Sequence, residues 1–154
     1  MILLDTHVWL WLNGAVERLS AEALALLAAP EKQLYLSVAS AWEIGIKVAT
    51  GKLVLPAPPS EYLLQRMGNN RVLSLPISQN HALKAAALPP HHRDPFDRML
   101  VAQAQLEGLR LMTVDEKLAK YDVPILWADR GLGVSAEPTS PAPRVGNGDA
   151  EGGH

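Results

Sequence analysis

The sequence predicts an α/β fold, a three-layer α/β/α sandwich in which helices cover both faces of a short, mostly parallel central sheet. Two observations predict it. Five short apolar runs recur along the chain with little alternation of apolar and polar residues, as expected of strands buried on both faces. Helical patterns separate these runs, and an alternation of strands and helices is typical of parallel sheets covered on both sides.

The elements follow one another from the first residues onward. The predicted strands are the apolar runs at residues 2–4, 34–36, 72–75, 111–114 and 125–127. The predicted helices span residues 6–13, 20–29, 39–50, 60–68, 79–87, 95–107 and 115–120. Ser20 and Ser60 stand where N-caps are expected, and Gly51 and Gly108 stand where helices are expected to stop.

Residues 1–130 are expected to form one domain, followed by a disordered tail at residues 131–154. Hydrophobic residues make up 48% of the 154 residues, which is enough for a core and excludes a wholly disordered protein. From Gly131 onward the chain turns to Gly, Pro, Ser and Asp and has no aromatic residue. Such a composition predicts a segment without a packed core.

Composition also restricts the chemistry and the location. The chain has no cysteine, which excludes disulfides, thiolate nucleophiles and cysteine zinc sites. The apolar start runs directly into Asp5 and no apolar run is long enough for a membrane span, so we expect a cytoplasmic protein without a signal peptide. The net charge is −2, and the charges beyond residue 130 account for it. The remaining neutral domain can bind RNA if its charges are segregated.

Four carboxylates stand where α/β folds bind ligands. Such sites lie beyond the carboxyl ends of the strands. Asp5 directly follows the first predicted strand, Asp115 follows the fourth, and Glu43 lies in the helix after the second. Asp97 lies at the start of the helix predicted at residues 95–107.

These acids also have structural interpretations. Asp5 and Asp115 can be N-caps, and Ser40 with Glu43 matches a capping box. Several acids at one edge of a sheet would repel one another, however, and a bound cation compensates that repulsion. Ligands that are all oxygen suit Mg²⁺ or Mn²⁺ rather than zinc or copper. Two such ions can activate a water and stabilise the leaving oxygen of a phosphodiester.

The most polar loop of the sequence precedes the helix at residues 95–107. Asp94 is the expected cap of that helix, with Pro95 at the first position and Asp97 near the positive end of the helix dipole. In one interpretation Arg93 or Arg98 contacts RNA phosphates. In the other, the loop is solvated and an arginine pairs with Asp94 or Asp97.

Some histidines and tryptophans also have both a functional and a structural interpretation. His91 and His92 can bind metal, but the sequence shows no zinc-site partners near them, so they stay outside the candidate set. Trp9 and Trp42 can stack on bases. For Trp9, which has Leu12 at helical spacing, a place in the core or in a dimer contact is the stronger interpretation.

Five segments give the chain a family resemblance through their order and spacing. They are MILLDT at residues 1–6, LSVASAWEIGIK at 36–47, GKL at 51–53, HHRDPFDRMLVAQA at 91–104 and LMTVD at 111–115. With these segments the chain resembles the PIN-domain nucleases and, among them, the VapC-like toxins of bacterial toxin–antitoxin pairs. The resemblance covers about residues 1–127.

The resemblance implies roles for particular residues. It implies that Mg²⁺ or Mn²⁺ binds to four catalytic acids, which are Asp5, Glu43, Asp97 and Asp115. It also implies that Thr6 and Thr113, the hydroxyls beside the first and the fourth acid, contact substrate. The implied fold, a short parallel sheet between helices, agrees with the pattern of predicted elements.

The implied activity is hydrolysis of RNA by the toxin of a toxin–antitoxin pair, with a cognate antitoxin and a homodimer as expected partners. An arginine of the antitoxin is expected to enter the acidic cleft, while apolar surface around Trp9 and Trp42 supplies further affinity. Two alternatives stay open: a PIN-like module that binds RNA or acts as a scaffold without turnover, and a structure-specific DNA nuclease. A receiver-type signalling domain is disfavoured, because its second acid and its late lysine are not evident.

Overall fold

A computed structural model describes residues 1–131, which form a sheet of five strands between two layers of helices. The tail predicted at residues 131–154 lies, from residue 132 onward, outside the described residues. The strands are β1 (Ile2–Leu4), β2 (Leu34–Ser37), β3 (Val72–Leu75), β4 (Arg110–Thr113) and β5 (Ile125–Trp127). The predicted fold class and all five predicted strands are confirmed.

The helices agree with the predicted ranges to within one residue at each end. They are α1 (Thr6–Gly14), α2 (Ala21–Ala28), α3 (Val38–Ala49), α4 (Pro59–Asn69), α5 (Gln79–Ala87) and α6 (Pro95–Glu107). The helix predicted at residues 115–120 is instead a 3₁₀ turn at Glu116–Lys120, and a further 3₁₀ turn at Val16–Arg18 was not predicted. No helix within residues 1–131 is long and apolar enough to cross a membrane.

The sheet is parallel throughout, with the strand order β3-β2-β1-β4-β5. The chain therefore adds β2 and β3 on one side of β1 and then β4 and β5 on the other. Ligands of such sheets bind at the carboxyl ends of the strands beside this reversal. In the register, Leu4 lies opposite both Leu36 and Met112, so the residues that follow β1, β2 and β4 emerge at the same edge.

Alternate residues of β1 face two separate cores. Ile2 and Leu4 pack with Val8 and Trp9 of α1 on one face, in a core that also includes residues of α2 and α3. Leu3 faces the other core, which α5 and α6 cover. A strand buried on both faces needs apolar residues at every position, which explains why the predicted strands scarcely alternate.

Most of the local signals in the sequence hold in the structure. The Oγ of Ser20 accepts the Ala23 N–H at 3.1 Å and caps α2, as predicted. Gly108 and Gly51 follow α6 and α3 with φ angles of 67° and 75°, a left-handed conformation that favours glycine. The predicted cap at Ser60 is wrong. Helix α4 begins at Pro59, because the first turn of a helix does not need the N–H that proline lacks.

Candidate active site

Asp5 leaves the carboxyl end of β1 as a buried carboxylate, 3% exposed. Its N–H donates to the Met112 carbonyl at 2.9 Å, which extends the contact between β1 and β4 by one residue. Its Oδ1 accepts the His7 N–H at 3.4 Å and caps α1, while its Oδ2 accepts the Thr113 hydroxyl at 2.5 Å. Capping and membership of an acidic site are therefore compatible, because the two oxygens have different partners.

The surroundings of Asp5 disfavour its ionised form. Burial raises the pKa of its carboxyl above the usual value. The Thr113 hydroxyl and the nearby His7 act in the opposite direction, and the charge of Glu43 adds to the rise. The net result is a raised pKa, and burial is its main cause.

Asp115 follows β4 and is joined to Asp5 through Thr113. Its N–H donates to the Thr113 Oγ1 at 3.0 Å, so this one hydroxyl donates to Asp5 and accepts from Asp115. The Oδ1 of Asp115 accepts the Lys117 N–H at 2.9 Å and caps the 3₁₀ turn that follows. Burial on its own raises the pKa of Asp115, but hydrogen bonds from the Lys117 N–H and from His92 lower it overall.

Helix α3 begins earlier than the proposed capping box requires. The Ser37 Oγ accepts the Ala39 N–H at 3.0 Å and caps the helix. The predicted box of Ser40 and Glu43 is therefore wrong, because Ser40 lies inside the first turn and not before it. Its buried Oγ instead accepts the Thr6 hydroxyl at 2.8 Å, which joins α1 to α3.

Glu43 lies three residues after Ser40 on the buried side of α3 and is 8% exposed. The Lys47 Nζ lies 3.1 Å from its Oε2, one helical turn away, as the spacing predicts. Asp5 and Asp97 both respond to the charge of Glu43. The acid on α3 therefore lies in the same electrostatic environment as the acids at the ends of β1 and β4.

Asp97 lies in the first turn of α6. The Oδ1 of Asp94 accepts the N–H groups of Phe96 at 2.8 Å and of Asp97 at 3.3 Å, so Asp94 is the cap, as predicted. Burial is the largest cause that raises the pKa of Asp97, which reaches about 8. Repulsion by other carboxylates supplies the rest, and these are Asp5, Asp94, Glu43 and Asp115.

His92 joins this cluster, although sequence reasoning left it outside the candidate set. Its Nε2 lies 2.8 Å from Asp115 Oδ2 and 3.1 Å from Asp97 Oδ2. Its partners are carboxylates on other elements, and Asp115 is 23 positions away. The sequence around His92 shows no zinc-site spacing, because its carboxylate partners come close to it only when the chain folds. The only signal in the sequence was the density of polar residues before α6.

The two loop arginines have different surroundings. The Arg98 guanidinium donates to four backbone carbonyls at 2.8–3.2 Å and, among residues 1–131, pairs with no acid. Its predicted contact with RNA is untested, but the structure gives it a different role, which is to hold the loop before α6. Arg93 is exposed, and within residues 1–131 it has no hydrogen bond or ion pair through its side chain.

The cluster has a donor set that fits a divalent cation. Ligand atoms of His92, Asp97 and Asp115 lie within 4.8 Å of one another. Most of the available donors are carboxylate oxygens, which Mg²⁺ and Mn²⁺ prefer. Burial above all, and the charges of neighbouring carboxylates, raise the pKa values of Asp5 and Asp97, so ionising both acids leaves an imbalance of negative charge. A cation bound among these acids would relieve that imbalance.

The tryptophans differ in exposure. Trp9 is fully buried in the core, so the expectation that it offers apolar surface to a partner is wrong. Trp42 is 64% exposed and meets the Phe96 ring edge to face, with ring centroids 5.3 Å apart. Val38 and Ile46 are also exposed at four-residue spacing on α3. An apolar stripe therefore runs along the helix that carries Glu43.

Comparisons with known proteins point to one family. A family model described as the PIN domain matches residues 2–124. Ribonuclease VapC22 of Mycobacterium tuberculosis (strain ATCC 25618 / H37Rv) is 30% identical over 124 residues, which cover 80% of this chain and 93% of that protein.

Two solved structures are similar in fold. The VapBC2 structure from Rickettsia felis, bound to a DNA fragment from the promoter, matches with a TM-score of 0.63 and 16% identity, over 84% of this chain and 100% of the other. A toxin–antitoxin complex from Klebsiella pneumoniae matches with a TM-score of 0.57 and 23% identity, over 82% of this chain and 96% of the other.

Proposed function

This chain belongs to the PIN-domain family and is VapC-like, and on that premise we propose that it is an endoribonuclease that uses Mg²⁺ or Mn²⁺ to hydrolyse RNA phosphodiester bonds as the toxin of a toxin–antitoxin pair. The relative from Mycobacterium tuberculosis is named a ribonuclease, which supports the reaction. The catalytic residues in this proposal are four acids: Asp5, Glu43, Asp97 and Asp115.

The observation that carries the proposal is the state of Asp97. Burial and the repulsion of several acids raise the pKa of its carboxyl to about 8. Such an arrangement is unfavourable in a protein that binds nothing there, because each buried carboxylate makes its neighbours harder to ionise. Strongly shifted groups in a cleft are typical of functional sites. A divalent cation bound among these acids would attract each of them and so offset the repulsion between them.

The four acids would hold the ion. When bound, Mg²⁺ or Mn²⁺ supplies a water that ionises easily and stabilises negative charge on the phosphate oxygens. The chain's own groups orient the ligands. The Thr113 hydroxyl fixes Asp5 Oδ2, and Lys47 partly neutralises Glu43. Asp97 would release a proton to solvent at neutral pH on joining the ligand set.

The proposed substrate contacts divide into two groups. Arg93 is exposed beside His92 and is the proposed contact for an RNA phosphate. The side chains of Thr6, Thr113 and Arg98 have partners within the protein. For these three we propose a role in shaping the site before RNA binds.

The reaction is tested by replacing one acid at a time. Asp5→Asn and Asp97→Asn keep the side-chain shape and remove the ligand charge, so each should lower Mg²⁺- or Mn²⁺-dependent RNA cleavage by more than about a hundredfold. The matched control is Asp122→Asn, an exposed acid just before β5. Circular dichroism should show that all three variants are folded. Wild-type cleavage rates in both site variants would contradict the assignment.

The same assay separates the alternatives. Cleavage of single-stranded DNA without cleavage of RNA would favour a DNA nuclease. Normal binding of Mg²⁺ without cleavage of either polymer would favour a scaffold or an RNA-binding module. The proposal requires cleavage of RNA.

An antitoxin partner is part of the proposal. The structural relatives described above include toxin–antitoxin complexes, which supports such a partner. The acids form a concentrated negative charge that a bidentate arginine can approach. Trp42, which is exposed beside Glu43, offers apolar area for the rest of the contact. The expected homodimer remains a proposal without an assigned surface.

A further inference from the structure

We propose that His92 is a positioning residue whose Nε2–H donates to Asp115 and orients that carboxylate beside Asp97, and that it is not itself a metal ligand. The importance of these acids rests on the proposed function, but the hydrogen-bond geometry stands independently of it. The distinction matters because a histidine beside two carboxylates otherwise looks like a third ligand.

The position of the ring proton follows from the other ring nitrogen. The Asp94 N–H points at His92 Nδ1 over 3.1 Å. A backbone N–H can only donate, so Nδ1 must present its lone pair. The proton of a neutral imidazole then resides on Nε2. That Nε2–H donates to Asp115 Oδ2 over 2.8 Å, and Nε2 also lies 3.1 Å from Asp97 Oδ2.

A metal at Nε2 would require the opposite arrangement. A ligating nitrogen offers its lone pair to the ion, so the ring proton would have to move to Nδ1. That Nδ1–H would then face the Asp94 N–H, with two donors about 3 Å apart. Because Asp94 is the N-cap of α6, its N–H cannot turn away without disturbing the start of the helix that carries Asp97.

The loop that carries His92 is anchored on both sides of the residue. The His92 N–H donates to the Tyr121 hydroxyl at 2.9 Å, and its carbonyl accepts the Arg98 guanidinium at 3.2 Å. Tyr121 in turn donates to the Pro89 carbonyl at 2.7 Å. The backbone of His92 is therefore fixed before any ligand arrives. A fixed donor is what orienting a ligand carboxylate requires.

The hydrogen bond leaves the carboxylates able to bind an ion. Each carboxylate offers about four lone-pair directions on two oxygens. His92 uses one direction on the Oδ2 of Asp115. Asp115 uses one more lone pair to accept the Lys117 N–H. The remaining lone pairs of Asp115 are available to a cation, and His92 holds that carboxylate beside Asp97.

The tautomer can be measured directly in the full-length protein. Long-range ¹H–¹⁵N spectra of histidine-labelled protein distinguish a protonated from an unprotonated ring nitrogen, and His92→Gln identifies the His92 signals by their loss. We expect a proton on Nε2 and none on Nδ1, both in metal-free protein and with saturating Mg²⁺. A proton on Nδ1 in either state would overturn the proposal.

Metal affinity supplies the second measurement. His92→Ala should weaken Mg²⁺ and Mn²⁺ binding by similar factors, of about tenfold in calorimetry, because it removes an orienting donor from both complexes. His92→Gln places an amide N–H at a similar reach and should restore most of the affinity. A nitrogen ligand would instead make the loss larger for Mn²⁺ than for Mg²⁺, since imidazole suits transition metals better.

The control is the neighbouring histidine. His91 is exposed, and its ring meets Tyr121 edge to face at 5.0 Å without touching an acid. His91→Ala should leave both affinities unchanged. Unchanged affinities in His92→Ala, or no recovery in His92→Gln, would overturn the positioning role.

Failure of the two proposals can be told apart. If the wild-type chain binds neither ion, the proposed metal chemistry fails. The spectrum of metal-free His92 then decides the inference alone, with a proton on Nε2 supporting it and a proton on Nδ1 overturning it.

Discussion

The two halves of the acidic cluster are held by different means. In the half formed by β1 and β4, Asp5 and Asp115 follow neighbouring parallel strands, and the single hydroxyl of Thr113 joins them. In the half formed by α6 and the loop before it, the position of Asp97 depends on side chains that hydrogen-bond to the backbone. Asp94 caps the helix, and Arg98 holds the loop. Backbone pairing builds the first half, and side-chain contacts build the second.

The acids of the two halves also differ in charge state. Both Asp97 and Asp115 lie close to His92 Nε2, but only Asp115 accepts its hydrogen bond, and the pKa of Asp97 rises to about 8 while that of Asp115 falls. Burial raises both, but Asp115 also accepts the Lys117 N–H, whereas Asp97 faces several carboxylates. Hydrogen bonds to its charged form therefore lower the pKa of Asp115, whereas burial and like charges raise that of Asp97.

The largest effect of a substitution is expected at Arg98, which holds the loop before α6. Arg98→Ala removes a guanidinium that donates to the carbonyls of Ala85, Leu88, Pro89 and His92 and leaves those carbonyls short of donors. Hydrogen bonds to charged groups contribute appreciably when partly buried, so we expect the free energy of unfolding to fall by about 2–4 kcal/mol. Urea denaturation measures it.

The matched control for this change is Arg93→Ala in the same loop. Arg93 is exposed and unpaired among the residues described, so its loss should change stability by less than about 0.5 kcal/mol. Equal stability losses in the two variants would show that the carbonyl contacts of Arg98 do not hold the loop.

An effect of comparable size is expected from pH in the metal-free protein. Folded Asp97 has a pKa of about 8, well above the 3.8 of an unperturbed aspartate. Between these values the folded state holds a proton that the unfolded chain has released. This stabilisation is complete below the unfolded pKa and is lost as pH rises through the folded pKa. The melting temperature should therefore fall from pH 5 to pH 8.

Substitutions and bound Mg²⁺ test whether Asp97 causes this pH dependence of the melting temperature. Asp97→Asn should reduce the slope, and a residual slope is expected because the pKa of Asp5 is also raised. The lowered pKa of Asp115 acts below pH 4 and stays outside the window. Saturating Mg²⁺ should reverse the slope, because the ion binds the deprotonated acids. An unchanged slope in Asp97→Asn would show that Asp97 does not carry the excess proton.

The same division explains what the sequence could predict. Strands buried on both faces leave continuous apolar runs, and the acid after such a run lies at the sheet edge whatever the rest of the chain does. The positions of Asp5 and Asp115 followed from that rule. The cap at Asp94 followed from the proline after it.

The loop half could be predicted only in part. The resemblance singled out Asp97, but the partners of His92 and Arg98 depend on how α5, α6 and the 3₁₀ turn pack, which no local pattern encodes. The capping box at Ser40 failed for a related reason. Ser37 and Ser40 both fit the cap pattern, and only the end of β2 decides that Ser37 is the cap.

The smallest effect is expected in the strand half, at Thr113. Thr113→Val keeps the shape of this fully buried side chain and removes the hydroxyl that donates to Asp5 and accepts from Asp115. Because the strands still fix both backbones, we expect a loss of about 1–2 kcal/mol in stability and only a few-fold weaker Mg²⁺ binding. Thr113→Ser retains the hydroxyl and should recover most of both. Denaturation and calorimetry on the three proteins measure this. A loss in Thr113→Val larger than in Arg98→Ala would reverse the comparison, since the hydroxyl, and not the strand register, would then hold the two acids in place.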